Sequence, residues 1–206
     1  MKVKICGIKT VEAALHAVKQ GADALGFVFA PSKREVSPGQ ANEIISALPE
    51  AIWKVGVFVD ETPERVRQIT EKAGLTHIQL HGNEESKPYR TSSKPLIKSI
   101  SVRSSDDLDK IFESEADLIL LDSPPGQYKG GNGISFDWNL AAALEVKDRV
   151  ILAGGLNPEN VADAVKLVKP YMVDVSSGVE TDGVKDLAKI TAFIERAKGS
   201  REDGIQ

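Results

Sequence analysis

Eight short runs of apolar, largely β-branched residues recur along the chain, near 2–6, 23–29, 53–59, 77–81, 96–100, 118–122, 150–154 and 172–176. Most are continuously apolar rather than alternating, which suits parallel strands buried on both faces. Parallel neighbours cannot be joined by a tight turn and need a crossover, usually a helix. The intervals supply that pattern. Ser37 ahead of Pro38 and Gln40 predicts a helix over 37–48 that opens with a capping box. Ala41, Ile44, Ile45 and Leu48 give it an i, i+3, i+4, i+7 stripe. Thr62-Pro63 predicts another start, with Val66, Ile69 and Ala73 facing inward. Asn157-Pro158 predicts a third, with Val161, Ala164, Val165 and Val168. Leu187, Ile190 and Ile194 mark the last helix. Thr10 and Asp137 are expected to cap two more. Residues 83–94, polar around Pro88, predict at most a short helix.

Eight β-then-α units in 206 residues fit a closed (β/α)8 barrel or an open doubly wound sheet. The regular strand spacing favours the barrel. The expectation is an α/β fold, a single-domain (β/α)8 TIM barrel over 1–198, followed by a polar, frayed tail at 199–206. In either arrangement the site gathers where strands end.

Composition narrows the partners. The chain is 41% hydrophobic and 27% charged with a net charge of −4, values of an ordinary globular protein. No basic tract points to nucleic acid, and no apolar run approaches a membrane span. An anionic small molecule would therefore need a local positive site. The single cysteine excludes an intrachain disulfide and suits a reducing compartment. MKVKICGIKT lacks the apolar core of a signal peptide, so the expected location is cytoplasmic. Oligomeric state is left open between monomer and homodimer.

The strand ends carry the chemistry. Run seven leads into AGGLNPENV (153–161) and run eight into DVSSGVE (174–180). Either loop alone reads equally well as a tight turn. Together, in the last two units, they predict a phosphate cradle of Gly154, Gly155, Ser177 and Gly178, with 178–182 as a short extra helix turn. Neither GxxxxGK[ST] nor GxGxxG is present.

A lone cysteine is most often a small buried core residue. Cys6, however, ends the first strand beside Gly7, where a thiol can act as nucleophile or proton acceptor. Asp122 ends the apolar run LILL, where a carboxylate is costly to bury without partners. It could be a cap or loop acceptor. The long glycine-rich segment 123–135 behind it reads instead as a lid, under which a carboxyl with a raised pKa can serve as a general acid. Strands one and six lie three steps apart in a ring of eight, so the two groups should face different atoms of one substrate. Lys33-Arg34 is either a solvated pair or a guanidinium fork for a carboxylate. His81 reads as a structural histidine or, with Asp174, as a substrate-orienting group. No spacing suggests a metal site.

KICGI (4–8), GFVFAPSKREVSP (26–38), VGVFV (55–59), QLHG (79–82), LLD (120–122), GGNGISFDW (130–138), AGGLNPENV and DVSSGVE together resemble the phosphoribosylanthranilate isomerases of tryptophan biosynthesis. The resemblance runs from the first strand to the eighth. It implies a (β/α)8 barrel and a cofactor-free Amadori rearrangement of a phosphosugar substrate. It also implies Cys6 as general base, Asp122 as general acid and Arg34 as the group that holds the anthranilate carboxylate. Two departures stand out: TDGVKD (181–186) lacks the proline common there, and Asn132 stands where threonine is common. The rival readings are another phosphosugar isomerase or synthase of the same fold, and a catalytically inactive barrel that binds a phosphometabolite.

Overall fold

The computed structural model describes residues 1–91, 93–124 and 136–200. Most of the expected lid (125–135, including GGNG and Asn132) and residues 201–206 of the expected tail lie outside the described residues. Eight strands form the centre: β1 (Lys2–Cys6), β2 (Ala24–Val28), β3 (Trp53–Phe58), β4 (His77–Leu80), β5 (Leu96–Ser101), β6 (Leu118–Asp122), β7 (Val150–Leu152) and β8 (Met172–Val175). Each pairs with the next in parallel, and β8 returns to pair with β1, so the sheet closes into a barrel. Lys4 stands opposite Asp174 across the closing seam.

Alternation along the strands sorts residues into two sets. Val3, Ile5, Leu25, Phe27, Phe58, Ile78, Leu80, Ile119 and Leu121 face outward and join the helices in one large apolar layer. Ala24, Val55, Ile97, Leu120, Ile151 and Met172 fill the inside. The same parity turns Lys4, Cys6, Gln79, Asp122 and Asp174 inward, which is how strand-end groups from distant sequence come to share one space. At the amino-terminal end of the barrel, Trp53 stacks on His77 with ring centroids 4.1 Å apart. The Lys2 ammonium lies 4.7 Å from both the Trp53 and Tyr171 ring centroids. These side chains plug the end opposite the site.

The outer ring holds α1 (Val11–Lys19), α2 (Pro38–Ser46), α3 (Pro63–Ala73), α4 (Lys110–Glu113), α5 (Trp138–Ala142), α6 (Val161–Val168) and α7 (Leu187–Gly199). Thr10, Ser37, Thr62 and Asp137 cap α1, α2, α3 and α5 through their side-chain oxygens. No helix among the described residues is long and apolar enough to cross a membrane.

Three local expectations need correction. The capping box of α2 is half made: Ser37 accepts from the Gln40 amide, but the Gln40 side chain donates to the Lys9 carbonyl instead of returning to Ser37. A tertiary acceptor outcompetes the local one. Helix α6 starts at Val161 rather than at Asn157-Pro158, because Asn157 first organises a turn by accepting from the Glu159 and Asn160 amides. The weak unit 83–94 holds one 3-10 segment, Lys87–Thr91, as short as expected. The helix turn expected over 178–182 is shorter and starts one residue earlier. A 3-10 turn at Ser177–Val179 runs into a small hairpin, β9 (Glu180–Thr181) and β10 (Val184–Lys185). At the carboxyl end, α7 continues through Gly199, and the Ser200 amide closes it on Arg196.

Candidate active site

The barrel mouth encloses a cavity of about 350 Å³ lined by Cys6, Arg34, His81, Asp122 and Asp174 together with Gly154, Gly155, Ser177 and Gly178. These residues, all singled out from the sequence, therefore reach one space, whereas Lys33 stays outside it with its side chain 60% exposed. What surrounds each was not foreseen.

Cys6 is 8% exposed at the end of β1. Burial pushes its thiol above the ordinary value, with Asp174 adding to the rise and Lys4 and Lys185 opposing it. Two residues earlier on the same inward face lies Lys4, 0% exposed, its Nζ 3.0 Å from Asp174 Oδ1. Burial disfavours that ammonium, but Asp174 and Cys6 more than offset it and hold Lys4 above the usual lysine range. A buried ion pair often contributes less to stability than a packed apolar pair. Its position beneath the thiol gives it a local electrostatic role. Asp174, expected to orient substrate, thus commits one oxygen to Lys4.

Asp122 keeps 29% of its side chain accessible through the mouth. Protein surrounds the remainder, and burial raises its pKa, with His81 and the Ser123 amide opposing the shift. The Ser123 amide donates to Oδ1 at 2.7 Å, which fixes the carboxyl plane. His81 Nε2 lies 3.4 Å from Oδ2. The other ring nitrogen, Nδ1, is 3.1 Å from Gln79 Nε2. With the Gln79 amide donating there, Nε2 carries the ring proton and faces the carboxylate. His81 therefore stands against Asp122 in the free protein. Gln79 is 1% exposed, and its Oε1 has no partner among the described residues.

Arg34 presents one edge of its guanidinium fork to an internal carboxylate. Its Nε and Nη2 donate to Glu180 at 2.6 and 2.8 Å. Lys185 Nζ adds a third contact at 2.8 Å. These cations outweigh the effect of burial and hold Glu180 down at about 2. Burial in turn lowers Lys185, with Glu180 opposing.

The two glycine loops meet face to face. A Cβ on Gly178 would collide with the Leu156 carbonyl oxygen and come within 3.1 Å of Asn157 Cα. Gly154 sits at φ +77°, where its own Cβ would meet Ser123. The amides of Gly154, Gly155, Ser177 and Gly178 donate to no group among the described residues. Unpaired amides clustered at a concave surface suit an anion. Gly178→Ala is expected to force the loops apart. Overpacking of this kind costs roughly 1–3 kcal/mol, so thermal melting should fall and the inhibition constant of inorganic phosphate should rise several-fold. An unchanged phosphate constant would remove Gly178 from the cradle.

Lys4, Gln79, Glu180 and Lys185 were missed by sequence reasoning. The period-two step from Cys6 back to Lys4 was a usable signal for one of them. Glu180 closes the quoted DVSSGVE run, but nothing local reveals its partner.

Over residues 3–196 the chain matches the family described as N-(5'-phosphoribosyl)anthranilate (PRA) isomerase. It is 53% identical over 200 residues to an N-(5'-phosphoribosyl)anthranilate isomerase of Bacillus cereus, covering 96% of this chain and 98% of that one. The chain belongs to this family. Among solved structures, phosphoribosyl anthranilate isomerase from Thermotoga maritima superimposes with a TM-score of 0.87 at 43% identity, covering 97% of this chain and 99% of that one. Another isomerase of the family, solved in complex with reduced 1-(o-carboxyphenylamino)-1-deoxyribulose 5-phosphate, superimposes at 0.83 with 42% identity, 97% of this chain and 99% of that one. The chain is accordingly an isomerase, and the cavity just described is the place to look for its chemistry.

Proposed function

We propose that Asp122 and Cys6 divide the proton transfers of the Amadori rearrangement this isomerase catalyses. In that reaction N-(5'-phosphoribosyl)anthranilate becomes 1-(o-carboxyphenylamino)-1-deoxyribulose 5-phosphate. Asp122 gives its proton to the ribose ring oxygen as the C1'–O4' bond breaks. The anthranilate nitrogen supplies the electron pair and forms C1'=N. The Cys6 thiolate then takes the C2' proton, and the C–H electrons become C1'=C2' while the nitrogen regains its pair. The enolamine so formed takes a proton at C1' while its 2'-hydroxyl releases one, which leaves the C2' ketone; the Cys6 thiol then loses a proton to solvent and the Asp122 carboxylate regains one. Atoms and charges balance with the substrate's own nitrogen as electron sink, so the proposal assigns no cofactor or metal.

The observation that carries this reading is the shared cavity: a carboxyl raised by burial and a thiol beside a buried ammonium open on the space that four unpaired amides also face. The amides of Gly154, Gly155, Ser177 and Gly178 would hold the 5'-phosphate. That group lies away from the reacting carbons, so its binding energy can orient the sugar and retain the open-chain intermediates. Arg34 would receive the anthranilate carboxylate. The expected setting is a cytoplasmic enzyme acting on a small phosphosugar, which suits the lone thiol.

Turnover is measurable as loss of anthranilate-type fluorescence. Arg34→Ala should raise KM by about ten- to a hundredfold, the worth of a charge-assisted pair, with a smaller effect on kcat. An unchanged KM would take Arg34 out of the carboxylate role. Phosphosugar binding without any turnover would favour the inactive-barrel reading.

A further inference from the structure

Glu180 takes part neither in the thiol–carboxyl chemistry nor in the phosphate cradle, yet its carboxylate is 5% exposed and held by cations on several sides. Arg34 donates through Nε at 2.6 Å and Nη2 at 2.8 Å, Lys185 donates at 2.8 Å, and Lys33 Nζ stands at 3.6 Å. We propose that Glu180 is a positioning residue. It grips the Nε–Nη2 edge of Arg34 and leaves the end-on Nη1–Nη2 edge free to receive the substrate's aromatic carboxylate. The proposal rests on reading Arg34 as the carboxylate anchor.

A guanidinium carries five N–H donors in a rigid plane. Glu180 takes two of them. The two on Nη1 and the second on Nη2 have no partner among the described residues. A bidentate carboxylate fits that remaining edge. The stem is placed as firmly as the head: Arg34 lies across Gly7, where a Cβ would stand 2.6 Å from Arg34 Cδ. Gly7 follows Cys6 directly, so the guanidinium is anchored beside the strand end that bears the thiol. A free arginine would lose much rotamer freedom on binding, and Glu180 removes that freedom beforehand.

The network also reaches the other end of the substrate. Lys185 Nζ donates both to Glu180 and, at 2.9 Å, to the Ser176 carbonyl. Ser176 precedes the Ser177–Gly178 half of the phosphate cradle. One chain of charged contacts therefore sets the separation between the carboxylate anchor and the phosphate site.

An opposing effect acts on the same contact. Removing the Glu180 charge leaves Arg34 and its lysine neighbours less compensated, which by itself attracts a carboxylate. Arg34 is 21% exposed and Lys33 60%, so solvent screens part of that attraction, whereas two-point geometry depends on a fixed plane. Orientation should dominate.

The test compares Glu180→Gln and wild type on two substrates: N-(5'-phosphoribosyl)anthranilate and the aniline analogue that lacks the carboxylate. The variant should lose kcat/KM on the first by on the order of tenfold, mainly in KM, as expected for a charge-assisted pair deprived of its geometry. The aniline analogue and the inhibition constant of inorganic phosphate should stay at wild-type values. Equal losses on both substrates, or a parallel weakening of phosphate, would overturn the proposal and make Glu180 a strut for residues 176–185. No loss on either substrate would also overturn it. Glu180→Gln leaves Lys185 buried beside a neutral partner, so Glu180→Gln/Lys185→Met is the second variant. It should show the same discrimination, and a return to wild-type KM would overturn the proposal. Arg34→Ala separates the two levels. If it treats both substrates alike, the anchor reading itself fails. If it discriminates and Glu180→Gln does not, only the positioning role falls.

Discussion

Replacing Asp122 with asparagine should lower kcat by about 10²–10⁴, the range contributed by a placed general acid, or roughly 3–5 kcal/mol of barrier. Asparagine keeps the volume and can still accept from the Ser123 amide that now donates to Oδ1 at 2.7 Å. What it lacks is a proton to release toward the ring oxygen. Without protonation the C1'–O4' bond must break to an alkoxide, and the reaction stalls before the thiol is needed. Binding of a reduced product analogue should change little, because carboxylate and phosphate contacts lie elsewhere in the cavity. The informative measurement is therefore kcat against analogue affinity, at a pH well inside the active range. Near-normal kcat would sink the assignment and turn attention to His81, whose Nε2 stands 3.4 Å from the same carboxyl.

Cys6→Ala is the second large effect, again about 10²–10⁴ in kcat, since no other described side chain at the end of β1 can accept the C2' proton. The pH dependence carries more information than the loss. Burial raises both groups, the thiol above its usual range and the carboxyl above its own. The reactive form needs the thiolate and the protonated acid together. Because a thiol's ordinary value of about 8.5 lies well above a carboxyl's of about 3.9, that form is a minority species at every pH. Its population is flat between the two pKa values. It falls on the acid side as the thiolate is lost and on the alkaline side as the carboxylic acid is lost. The expected kcat/KM profile is a broad plateau with an alkaline limb set by Cys6. Since the chain has a single cysteine, its alkylation rate by a small electrophile reads the same ionisation directly. Alkylation that reaches its plateau below about pH 7, under the ordinary thiol range, would contradict the raised thiol and the interpretation of the alkaline limb.

The chain's local chemistry was legible. Apolar runs of strand length, Ser37 and Thr62 ahead of proline, and Thr10 and Asp137 ahead of apolar stripes all form the elements they imply. Those signals act within a few residues, so tertiary contacts rarely reverse them. Two failures are where a distant group won, and a third is a local turn that competes with a helix start. Gln40 leaves its own cap for the Lys9 carbonyl. Residues 178–182 extend into a hairpin whose Glu180 pairs with Arg34, 146 positions away. Asn157 bonds forward to Glu159 and Asn160 and delays α6.

The candidate site divides along the same line. Which residues stand at strand ends follows from periodicity alone, and alternation then decides that Cys6 and Asp122 point inward once the sheet is closed. Strand ends therefore located the thiol, the acid and the glycine loops without coordinates. Barrel closure decided the rest. It set Lys4 against Asp174 across the seam between β1 and β8, His81 against Asp122, and Glu180 against Arg34. Charged partners are chosen by distance in space, and a linear pattern holds no information about distances between strands until the ring that joins them exists.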